Sequence, residues 1–320
     1  MTRRFVSSLK RSTGSTREGL RVDNNLRRAA SWLGAIVLAG SSLGCAAPLT
    51  CPANGGATWR ELTSKHIVLK TDLDEADARE AIAEFETLYV SLADVAFDSV
   101  GIKERLNVIL FARDVDYGQI GPLSTNAYFA HSLPNEIEPA PSIVMYGDID
   151  NETRRTFNRG TSYIFITEVL GAVPAWFSDG LSTYYSTIRL QDGKAFIGAP
   201  PQHLNFTRNS EWTTEQKGSW IQAIVPLGHV PSVKTMIAPE SSAIYSLAPR
   251  SIESLDDSRR RMAFQASAWA FIHMLNSGPE EYAERFGRML EDLNRGLKWP
   301  LAWKRSFGNV DEGALEETFR

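Results

Sequence analysis

The sequence predicts a mixed α+β fold, in which a small mixed sheet with its helices is followed by a helical C-terminal part. Three observations predict it. Before residue 150, short apolar runs rich in branched side chains have the length of buried strands. After residue 150, apolar residues recur at three- and four-residue spacing over longer stretches. Gly171 with Pro174, and Ser277-Gly278-Pro279, then punctuate those stretches as helix ends.

Taken in order, order begins near Trp59, and residues 66–71 (HIVLKT) form a first strand. Residues 72–97 carry Ala81, Phe85, Leu88, Leu92 and Val95 on one helical face, with Asp72 or Asp74 as the cap. LNVILF (106–111) reads as a buried strand and 116–120 as a helical turn. AYFAH (127–131) and SIVMY (142–146) add strands on either side of a Pro-rich loop, for a sheet of about four strands in a subdomain spanning 57–150. The second subdomain, 151–320, holds helices at 151–170, 176–185, 233–237, 262–276, 280–294, 299–307 and 312–319. The helix at 262–276 is expected to be strongly amphipathic, and 191–215 to be polar loop.

The first 44 residues have a different chemistry. They hold eight basic and two acidic side chains, then an apolar run, AASWLGAIVLAGSSLG, that ends at Cys45. A positive flank, a short greasy stretch and small residues form a secretory signal pattern. At about 16 residues, the run is short against the ~20 of a transmembrane helix. Ser42-Leu43-Gly44-Cys45 resembles the lipobox of bacterial lipoproteins, with Leu43 one place later than usual. Cys45 is therefore the candidate lipidation site. A simple secreted protein, an uncleaved anchor and a Cys45–Cys51 disulfide remain open. Residues 45–56 read as a tether.

Removing residues 1–44 leaves 26 basic and 36 acidic residues, a body near −10. That charge, with no basic stripe, does not suit a phosphate backbone, so no nucleic-acid partner is expected. Two cysteines do not make a disulfide framework. No nucleophile elbow and no Gly-rich phosphate loop occurs.

One segment carries a resemblance. Residues 174–185, PAWFSDGLSTYY, resemble a segment of the peptidase-MA-like (gluzincin) zinc metallopeptidases. There a Pro-Trp start leads into a helix whose glutamate is the third zinc ligand, and the helix upstream carries H-E-x-x-H. Its histidines, four apart, bind zinc from one helix face, and its glutamate activates water. Weaker matches follow in order through most of the chain, among them LNVILF, AYFAH, SIVMY and the Ala266–Ala270 stretch. The resemblance implies a zincin-like architecture. It also implies that the motif positions fall on Arg159-Gly160-Thr161-Ser162-Tyr163. Both imidazoles and the base are then gone, and Asp179 stands at the third-ligand position. One carboxylate does not hold catalytic zinc, which takes about three protein ligands. No catalytic residue, metal or cofactor is therefore expected, and Arg159, Gly160, Tyr163 and Asp179 are vestigial positions.

Two structural readings of Arg159 compete: an ion pair with Asp179 in the emptied site, or a side chain facing solvent. Tyr163 is expected to pack where an imidazole had been, and Glu168 to lie on the helix surface. The five histidines, His66, His131, His203, His229 and His273, form no helical pair. The expected protein is a lipid-anchored member of the bacterial cell envelope, on the outer membrane or the periplasmic face. It would be a pseudoenzyme that binds a peptide or an envelope protein or serves as a scaffold. The alternatives are an active hydrolase with an unorthodox metal site and an envelope structural lipoprotein.

Overall fold

The computed structural model describes residues 56–97, 99–120, 127–130, 140–191, 194–200, 230–238 and 255–320. The expected signal segment, Cys45, Cys51, His131, His203 and His229 lie outside these, as does the expected tether apart from residue 56. The strands are β1 (Arg60–Thr63), β2 (Ile67–Thr71), β3 (Leu106–Phe111), β4 (Ala127–Ala130) and β5 (Ser142–Tyr146), joined in the order β1-β2-β3-β5-β4. The sheet is mixed: β2, β3 and β5 run parallel, and β1 and β4 pair antiparallel at the two edges. β1 was not expected. Its sequence, RELT, holds one apolar residue, and it becomes a strand by pairing with β2.

Helix α1 (Glu75–Ala96) links β2 to β3. Asp74 caps it by accepting from the Asp77 amide at 2.9 Å, whereas Asp72 accepts from the Ala112 amide at 2.7 Å and ties β2 to the end of β3. One sheet face, with Ile67, Leu69, Leu106, Val108, Leu110, Ile143 and Met145, buries into the main core. On the other face Phe111 and Val144 form a small second cluster with Tyr117 of the turn α2 (Asp114–Tyr117). The helical turn thus lies slightly earlier than its expected place.

Helix α3 (Asn151–Phe165) starts at Asp150, which accepts from the amides of Glu152 and Thr153, both at 2.8 Å. It continues as a π turn, Ile166–Leu170, and stops at Gly171, whose φ of 75° suits a residue without a Cβ. α3 packs on α1 through Phe157 stacked on Phe85 at 4.3 Å, and Arg154 grips Glu84 through two nitrogens.

Helix α4 (Ala175–Tyr185) follows, then a ribbon of β6 (Arg189–Gln191) and β7 (Lys194–Phe196). That ribbon corrects the expectation of loop from 191. Its three-residue strands are too short to register as alternation, and they form through pairing with each other. The remaining helices are α5 (Val233–Ile237), α6 (Leu255–Ser277), α7 (Glu280–Asn294), α8 (Trp299–Phe307) and α9 (Glu312–Phe319). The expected two-faced character of α6 holds only toward its end, where Ala270, His273 and Met274 are half-buried and Asn276 and Ser277 exposed. Residues 263–269 are all buried, Gln265 and Ser267 included, because neighbouring elements cover that stretch on every side. The main core runs from Ile67 to Leu315 without a break at residue 150. The architecture is therefore α+β, a small mixed sheet with helices and a helical C-terminal part, as expected.

Candidate functional site

The segment 174–185 forms a helix because Pro174 ends the preceding turn in extended backbone, and the residues behind it place their apolar side chains inward. Trp176 is fully buried and sits among Phe271, Trp299 and Trp303, with ring centroids 5.3, 5.7 and 5.9 Å away. Gly180 is where α4 crosses α6. A Cβ there would lie 2.6 Å from the Ala268 carbonyl oxygen and 2.9 Å from Ile272, so only glycine permits this approach. The crossing sets the rotation of α4 and thereby aims Asp179 at α3.

On α3, residues 159 and 163 are one turn apart on the same stripe. Arg159 donates through Nη2 to Asp179 Oδ1, and each side chain is only 14% exposed. The structure thus brings together the two positions that the sequence separates by twenty residues. Tyr163, one turn beyond Arg159 on that stripe, has a side chain 36% exposed. Gly160 is buried within α3, and Glu168 is exposed in the π turn.

Other buried polar atoms were not singled out by the sequence reading. Among the described residues, Asp179 Oδ2 and, elsewhere on α3, α4 and α6, Asn158 Oδ1, Thr161 Oγ1, Thr183 Oγ1 and Gln265 Oε1 are buried with no hydrogen-bond partner. Thr183 is one turn from Asp179 on α4, so its hydroxyl shares that face. Native interiors leave few such groups. A polar residue at a buried helix position was the available signal, but neighbours could not be told from sequence.

These residues do not fit a zinc ion. The guanidinium of Arg159 already neutralises Asp179, and positions 159 and 163 offer no imidazole. The two described histidines are used elsewhere. His66 Nδ1 lies 2.6 Å from Glu86, and its ring stacks on Tyr89 at 4.7 Å. His273 packs against Trp269 and Tyr184, at 5.2 and 6.1 Å. Among the described residues no three His, Cys, Asp or Glu side chains cluster as metal ligands would.

The arrangement has the chemistry of a charge-assisted bond between two helices, mostly withdrawn from solvent. Compared with known proteins, the chain matches no family model and no curated protein.

Proposed function

We propose that the chain is a cell-envelope lipoprotein related to zinc metallopeptidases, in which an ion pair has replaced the metal centre. It serves as a non-catalytic module that binds a peptide or protein segment. The observation that carries this reading is the Arg159–Asp179 pair, at the two positions where the resemblance calls for a zinc-binding imidazole and a zinc-binding carboxylate. A cation at 159 opposes a second cation at the same place, and substitution of charge for metal keeps the two helices joined. Lipid attachment at Cys45 would hold the domain at the membrane.

The ligand side of the reading rests on the sheet. β4 is an edge strand that pairs with β5 alone among the described strands, and α3 packs beside it. An extended segment adding to such an edge gains main-chain hydrogen bonds, with side-chain pockets supplying selectivity.

Metal analysis, peptidase assay and peptide-library binding on the purified protein test this. The expected result is saturable binding of extended peptides with no chelator-sensitive hydrolysis. Stoichiometric zinc that is lost on Asp179→Ala would overturn the reading in favour of a working metal site. A second arm probes the relationship itself. Arg159→His, Tyr163→His and Asp179→Glu together should take zinc binding from undetectable to one ion per chain. Failure to bind, in a variant that remains folded, would mean these positions do not descend from a metal site.

A further inference from the structure

We draw no further inference here: the strongest candidate, the side-chain cluster of Ser64, His66, Glu86 and Tyr89 between the β1–β2 turn and α1, is closed on itself by its own hydrogen bonds and ring stacking, and nothing in the structure shows a ligand or partner that it serves.

Discussion

Two carboxylates on neighbouring parts of the molecule are treated in opposite ways. Glu86 on α1 accepts from the Ser64 hydroxyl at 2.6 Å, the His66 amide at 3.1 Å and the His66 ring at 2.6 Å, so both of its oxygens are used. Burial opposes its charge, but the bonds from Ser64 and from the ring and backbone of His66 outweigh that and hold its pKa below the ordinary value. Asp179 on α4 has one oxygen in the bond from Arg159 and the other buried with no partner among the described residues. A fully satisfied cluster clasps the β1–β2 turn to α1. The pair at Asp179 is half satisfied, so it contributes less to holding its helices than a cluster with every acceptor used.

The comparison breaks most readily at the ion pair. Arg159→Ala should lower stability by about 3–5 kcal/mol, because it leaves Asp179 buried without its cation. Arg159→Met with Asp179→Leu should recover most of that loss, since apolar replacement of a buried pair is often neutral. Urea unfolding measures both. A cost below about 1 kcal/mol for Arg159→Ala would place the pair with solvated surface pairs and erase the contrast.

Glu86→Ala should cost about 2–3 kcal/mol, through hydrogen bonds made to a charged acceptor. Unlike Arg159→Ala, it should not be rescued by a second apolar substitution at His66, because the Ser64 hydroxyl and the His66 amide lose their acceptor either way. Gly180→Ala probes the frame that aims Asp179. Its methyl meets backbone, not a yielding side chain, so a loss of about 1–3 kcal/mol is expected in thermal unfolding.

The smallest effect is the acid dependence. The folded-state pKa of Glu86 lies below its ordinary 4.5, so its contribution is complete above that value. It is lost as pH falls through the lower folded value. Urea midpoints measured from about pH 6 down to about pH 3 should fall less steeply in Glu86→Gln than in the parent chain. Parallel curves would show that the clasp does not discriminate between the charged and neutral acid.

Much of the fold was legible because periodicity is local. LNVILF is the strand Leu106–Phe111 residue for residue, and the helix expected at 151–170 ends at Gly171 as Gly171's φ requires. What was not legible depends on neighbours. RELT carries too little apolar signal to read as a strand, and it is one because β2 lies beside it. Gln265 and Ser267 make α6 look two-faced in sequence, yet both are buried, because other helices cover the side they occupy.

The candidate site divides in the same way. The resemblance assigned Arg159 and Asp179 to the ligand positions of two helices, and residues 159–163 hold no imidazole. Whether the guanidinium met the carboxylate or the solvent was open in the sequence. It was decided by the crossing of α4 over α6 at Gly180, which rotates Asp179 toward α3. Residue type sets which bonds a side chain is able to make. The distance between two side chains twenty residues apart is set by how the intervening helices pack. Chemistry was therefore readable one residue at a time, and contact was not.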